Sequence, residues 1–95
     1  MNDYQLTKQA FKSLKKLSKS DRATAIRIKK AIIGLTTNEV TGESLQGFNQ
    51  FKKIRIGKYR LIYTHREDSL LITIIEKRET VYQTFEHLFK HSDLF

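Results

Sequence analysis

The chain has no cysteine, so neither a disulfide framework nor a thiolate metal site can be built. Histidine is scarce: His65, His87 and His91 are too few and too scattered to suggest a structural metal site. No stretch approaches the ~20 consecutive apolar residues of a membrane-spanning helix. The N-terminal Met1-Asn2-Asp3-Tyr4 lacks the charged-then-apolar build of a secretory signal. The expectation is a soluble, cytoplasmic protein. Nor is there length for a second core: the 95 residues are expected to form one domain, 1–95, burying roughly 60–68% of its unfolded surface.

Carboxylates are also in short supply. Eighteen Lys and Arg face ten Asp and Glu, a formal net charge of +8 with a pI near 9.9. Such an excess favours a polyanionic partner: nucleic acid, a ribosome, an acidic membrane or an acidic protein. It is unevenly spread. Residues 1–35 hold nine basic and two acidic side chains, whereas residues 36–95 hold nine and eight. Most of the helical lysines read as solvated surface. The basic strands further on do not.

Asp3 to Leu6 is a short strand candidate. From Thr7 the period becomes helical, with Ala10, Phe11, Leu14 and Leu17 on one stripe. Ser18-Lys19-Ser20-Asp21 breaks it, Ser20 serving as N-cap and Asp21 sitting in the first turn of a second helix. That helix carries Ala25, Ile28, Ile32 and Leu35, with Ile26 and Ile33 beside them. The pair reads as a helical hairpin over something apolar. Residues 36–50 read as a crossover loop pinned by Leu45 and Phe48. Then the period becomes two: Phe51 to Ile56 and Tyr59 to His65 are strands joined by Gly57-Lys58, a type II′ hairpin signal. Leu70 to Glu76 is apolar enough for a strand covered on both faces, and residues 80–90 close with a helix carrying Tyr82, Phe85, Leu88 and Phe89. The expected fold is α+β: a small antiparallel sheet packed with an N-terminal helical hairpin and a C-terminal helix, in the order β-α-α-β-β-β-α.

With Gly57-Lys58 as the turn, Ile56 lies opposite Tyr59, Arg55 opposite Arg60, Ile54 opposite Leu61 and Lys53 opposite Ile62. Alternation gives one face to Ile54, Ile56, Tyr59, Leu61 and Tyr63, a core, and the other to Lys53, Arg55 and Arg60. Like charges directly opposite destabilise a sheet. Arg55 and Arg60 therefore require an anion, a splayed geometry, or carboxylate partners such as Glu76. A phosphate-binding face accounts for the whole cluster. Arg78 falls where the last strand ends, and Tyr82 about one helical turn later. On spacing alone Tyr82 is a core aromatic, and Arg78 an ordinary ion pair with Glu79 or Glu76.

Lys53-Ile54-Arg55-Ile56, Tyr59-Arg60-Leu61-Ile62-Tyr63 and Lys77-Arg78-Glu79-Thr80-Val81-Tyr82 together resemble the signature of the RelE/ParE toxin superfamily. The likeness extends over the whole chain in element order and is strongest in its second half. It implies the toxin of a type II toxin–antitoxin system, of the RelE-like kind: a ribosome-dependent mRNA endoribonuclease that inhibits translation. The partners so implied are a cognate acidic antitoxin, able to build a higher-order complex with it, and the ribosome with its message. No cofactor and no metal is expected.

Carried onto this chain, the resemblance gives Lys53 and Arg55 the message backbone, either one assisting the 2′-oxygen. Arg60 takes the scissile phosphate, Arg78 the phosphate or leaving oxygen, and Tyr82 a stacked base. Lys52, Lys58 and Lys77 add RNA contacts. No Ser-His-Asp arrangement or close carboxylate pair is in evidence, so electrostatic stabilisation by cations leads. His65, His87 and His91 miss the positions where related nucleases place histidine. His87 and His91 have helical metal-ligand spacing but no third ligand. Two other readings stay open: a ParE-like toxin that inhibits DNA gyrase without cutting RNA, and a basic RNA-binding module without catalysis.

Overall fold

In the computed structural model, which describes residues 3–91, the chain runs β1 (Asp3–Leu6), α1 (Lys8–Ser20), α2 (Arg22–Thr36), β2 (Glu43–Leu45), β3 (Phe48–Ile56), β4 (Tyr59–Arg66), β5 (Ser69–Lys77) and α3 (Val81–Lys90). The strands lie in the order β1-β5-β4-β3-β2. The α+β class and the expected succession of elements hold, with two differences. β1 pairs with β5 in parallel, Asp3 beside Ser69 through Leu6 beside Ile72, so the sheet is mixed rather than wholly antiparallel. The segment expected to be a crossover loop contains β2, an edge strand antiparallel to β3.

The parallel pairing follows from what comes after β1. Its chain turns directly into α1, whose start completes the exposed edge of β5. The Thr7 N–H donates to the Ile72 carbonyl at 3.0 Å, and the Thr7 hydroxyl donates to the Thr73 carbonyl while accepting the Ala10 N–H as N-cap. Two residues on, the Gln9 carboxamide accepts from the Ile75 N–H at 3.0 Å and donates to its carbonyl at 3.2 Å. Backbone groups that would be orphaned where β1 stops are thereby satisfied.

The β3–β4 hairpin has the register read from the sequence: Ile56 with Tyr59, Arg55 with Arg60, Ile54 with Leu61, Lys53 with Ile62. Gly57 has φ +58° and Lys58 is not among the residues at positive φ, as a type II′ turn requires. Each face of the sheet bears a core. Under the α1–α2 hairpin lie Ile56, Leu61, Tyr63, Leu70, Ile72 and Ile75 with Ala10, Leu14, Leu17, Ala25, Ile28, Ile32 and Leu35; Ile54 and Tyr59 pack at its margin. Under α3 lie Leu45, Phe51, Ile62, Ile74, Val81 and Phe85, with Phe48, Leu88 and Phe89 half-buried. A register shift makes the second core possible. Ile62 pairs with Ile74 but Tyr63 pairs with Ile72, leaving Thr73 as the extra residue. Its buried hydroxyl donates to the Ile62 carbonyl at 2.8 Å. Without the bulge Ile72 and Ile74 would share a face; with it each joins a different core.

The helical hairpin corrects three readings. The N-cap of α2 is Asp21, not Ser20, because the Asp21 carboxylate accepts both the hydroxyl and the N–H of Thr24. These bonds, the hydroxyl first, hold its carboxyl below the usual carboxylate range, with a smaller contribution from the Lys58 charge. Phe11 lies outside the core on exposed α1, and Ile26 and Ile33 lie on the solvent side of α2. One stripe of each helix meets the sheet, and the apolar residues beside it face solvent. Among the described residues no helix is long and apolar enough to cross a membrane.

Candidate functional site

Helix α3 covers only part of its face of the sheet, and the uncovered part is basic. Phe51, Lys53 and Arg55 alternate onto this face from β3, and Arg60 and Ile62 from β4. The apolar members lie under Phe85 and its neighbours, and the charged ones run out beyond the helix toward the Gly57-Lys58 turn. Three adjoining recesses follow this line. The first, about 650 Å³, is lined by Arg55, Gly57, Lys58, Lys77, Arg78 and Glu79. The second, about 490 Å³, is lined by Val40, Thr41, Glu43, Lys53, Ile54, Arg55 and Arg60. The third, against α3, contains Lys53, Tyr82 and Glu86. Arg55 is common to the first two and Lys53 to the last two, so the recesses form one groove.

The cations on this line are not consumed by carboxylates. Among the described residues the one ion pair is Arg78 Nε to Glu79 at 3.7 Å, between two exposed side chains. That contact is worth little in water, so Arg78 is available to a stronger anion. Glu76 lies opposite Arg60 in the register, yet its carboxylate accepts from the Thr84 hydroxyl on α3 instead. Arg60 turns back along the hairpin and donates from Nη1 to the Gly57 and Tyr59 carbonyls, both at 3.0 Å. The facing Arg55–Arg60 pair is therefore tolerated by splaying. Arg27 of α2 adds a cation at the tip: a Cβ on Gly57 would stand 3.2 Å from its Nη1.

Tyr82 is not a core aromatic. It is 40% exposed on the first turn of α3. The Lys53 ammonium lies 5.5 Å from the centre of its ring, and donates to its hydroxyl at 3.2 Å. The ring thus forms a ledge at the end of the groove with a cation beside it. Of the residues expected at the site, Lys53, Arg55, Arg60, Arg78, Tyr82, Lys58 and Lys77 come together along this line. Lys52 does not: it alternates to the other side of β3, paired with Tyr63. His65 is exposed on β4, and the rings of His87 and His91 lie 4.6 Å apart, tilted to one another, on the exposed side at the end of the last helix. Among the described residues no group of three or more potential ligands could hold a metal ion.

Glu43 was not read from the sequence as part of this site. It is opposite Lys53 in the β2–β3 register and therefore shares its face, where it lines the recess of Lys53, Arg55 and Arg60. The Gln46-Gly47 dipeptide between Leu45 and Phe48 is a turn signal that would have found the strand. It would not have found the register. Regular pairing onward from Leu45–Phe48 puts Glu43 beside Gln50, whereas the irregularity between Ser44 and Leu45 slides it to Lys53.

A helical hairpin thus packs on one face of a five-stranded sheet, and a cationic groove lies on the other. The fold is shared with the solved YoeB dimer from Staphylococcus aureus, at a TM-score of 0.71 and 22% identity over 80% of this chain and 95% of that one. The sequence profile of the family described as ParE toxin of type II toxin-antitoxin system, parDE, matches residues 4–82, and the chain belongs to that family, within the RelE/ParE superfamily. Membership implies an antitoxin partner. No curated protein matches the sequence.

Proposed function

We propose that this toxin is a cytoplasmic, ribosome-dependent endoribonuclease that cuts messenger RNA and thereby stops translation. The observation that carries this reading is the recess in which a carboxylate, Glu43, lines the same wall as Lys53, Arg55 and Arg60. Cleavage of RNA by its own 2′-oxygen needs a base, a stabilised pentavalent phosphate and a proton for the departing 5′-oxygen. Lysine and arginine carry their protons at neutral pH and are poor bases there, whereas a carboxylate can accept one. In this reading Glu43 accepts the 2′-hydroxyl proton as the 2′-oxygen bonds to phosphorus. Arg60 and Arg55 meet the charge developing on the phosphate oxygens. The P–O5′ bond breaks, and the leaving oxygen takes a proton from the Lys53 ammonium, with Arg78 neutralising charge nearby. A 2′,3′-cyclic phosphate and a free 5′-hydroxyl result. Tyr82 holds an unstacked base on its exposed ring, and Lys58 and Lys77 engage the backbone beyond. The groove is open and shallow, so the ribosome supplies the bent message and the exclusion of water.

The test is single-turnover cleavage of a message on programmed ribosomes. Parent protein cuts ribosome-bound message and hardly touches free RNA, and Glu43→Gln lowers the rate by about 100-fold or more. A folded Glu43→Gln variant cutting at the parent rate overturns the assignment. The family match favours a second reading, inhibition of DNA gyrase without RNA cleavage. Growth arrest with intact messages and inhibited gyrase selects it.

A further inference from the structure

We infer that Tyr63 is a positioning residue for this site, acting through the backbone of Gly42 to hold Glu43 in the groove; the inference rests on the ribonuclease reading above. β2 is three residues long, at the edge of the sheet, and its pairing with β3 is broken by a register irregularity after Ser44. Such a strand has few bonds of its own to fix where its first residue sits, and that residue is Glu43. The ring of Tyr63 is buried beneath the sheet on the side away from the groove, with 2% of its surface exposed. Tyr63 pairs with Lys52, and Lys52 with Ser44, so its side chain spans the row of strands that ends at β2.

The ring ends on the residue that matters. The Tyr63 hydroxyl accepts the Gly42 N–H at 3.0 Å, immediately before Glu43. The approach is close enough to demand glycine. A Cβ at Gly42 would stand 2.8 Å from the Lys53 carbonyl oxygen and 2.8 Å from both the hydroxyl and the ring edge of Tyr63. Gly42 is therefore wedged between the backbone of Lys53, which lines the groove, and a tyrosine from the opposite core. A buried phenol with a fixed ring is a stiff strut, whereas an edge strand is not. The hydroxyl ties the carboxylate's own chain segment to the rigid sheet, and the carboxylate stays opposite Lys53.

The experiment is a double-mutant cycle in single-turnover cleavage on programmed ribosomes with Tyr63→Phe, Glu43→Gln and the pair, each checked by thermal unfolding. Phenylalanine keeps the ring and the core and removes only the tie. Tyr63→Phe is expected to lower the maximal rate on the order of tenfold, as misplacing a reacting group does, with ribosome affinity unchanged. In the Glu43→Gln background the same substitution should have no further effect, because the group it positions is already gone. Parent-rate cleavage by folded Tyr63→Phe, with Glu43→Gln inactive, overturns the inference and leaves the ribonuclease reading standing. A tenfold loss that persists in the Glu43→Gln background also overturns it, since Tyr63 would then act on the fold at large. If Glu43→Gln itself cuts at the parent rate, the carboxylate has no part in the reaction and both fall. Should Tyr63→Phe prove unstable, Gly42→Ala is the second variant, expected to lose activity in the same Glu43-dependent way.

Discussion

The two faces of the sheet are made by the same three central strands and behave oppositely. The face under α1 and α2 buries Ile56, Leu61, Tyr63, Leu70, Ile72 and Ile75 beneath the two helices. The face under α3 is apolar only as far as the ten-residue helix reaches, and beyond it the alternate positions are Lys53, Arg55 and Arg60. Strand alternation lets one segment satisfy both demands at once, since each residue's face is set by parity. The closed face therefore contributes stability alone, whereas the open one contributes stability under α3 and presents charge beyond it. Mutations on either side should separate cleanly.

The largest effect expected is on stability, from the apolar end of the α3 face. Phe85 is fully buried and its ring meets Phe51 and Phe48 edge-on at 5.0 Å each. Phe85→Ala should destabilise by about 3–5 kcal/mol, read as a large drop in unfolding midpoint. A small drop would mean that α3 is loosely docked and that the two faces are not distinct. Next come the charges of the same face. Arg60→Ala and Arg78→Ala should each lower single-turnover cleavage by roughly 100-fold, about 2.7 kcal/mol of transition-state stabilisation, with the unfolding midpoint almost unmoved. Folded variants that cut at the parent rate would strip the groove of its assigned role.

A smaller effect sharpens the ledge. Tyr82→Ala should weaken cleavage by about 1–3 kcal/mol if the ring stacks on a base, and Tyr82→Phe, which keeps the ring beside Lys53, should cost far less. Equal losses in the two variants would transfer the role to the hydroxyl that Lys53 contacts. Smaller still is the cap of α2. Bonds from Thr24 lower the Asp21 carboxyl below its ordinary value, so the stability they add is present above that value and is lost as pH falls through the lowered one. Asp21→Ala should lower the unfolding midpoint slightly at neutral pH, and the difference from parent should shrink on acidification below about pH 4. Lys16→Ala, on the exposed side of α1, should change neither stability nor cleavage.

Much of this was legible in the residues themselves. A two-residue turn closes a hairpin in one way, so Gly57-Lys58 was enough to set Arg55 against Arg60 and to sort β3 and β4 into an apolar and a basic face. Those rules act over a few residues and need no knowledge of the remainder. The helical stripes likewise named Leu14, Leu17, Ile28, Ile32 and Leu35 as core, though Phe11 on the first stripe and Ile26 and Ile33 beside the second could not be recognised as exposed without knowing how much sheet lay beneath.

Other features were settled only in three dimensions. Whether Tyr82 belongs to the core or to the groove depends on where α3 stops over the sheet, which period alone does not say. The parallel β1 has no turn joining it to β5, and the bulge at Thr73 that sends Ile72 and Ile74 to different cores and the slide that brings Glu43 beside Lys53 both break the register that the hairpin turns alone would dictate. The sequence alone determined which side chains alternate together, because backbone geometry and turn closure are local. The tertiary structure decided which of them meet across the sheet, because long-range register minimises the packing and hydrogen-bond energy of the whole domain at once.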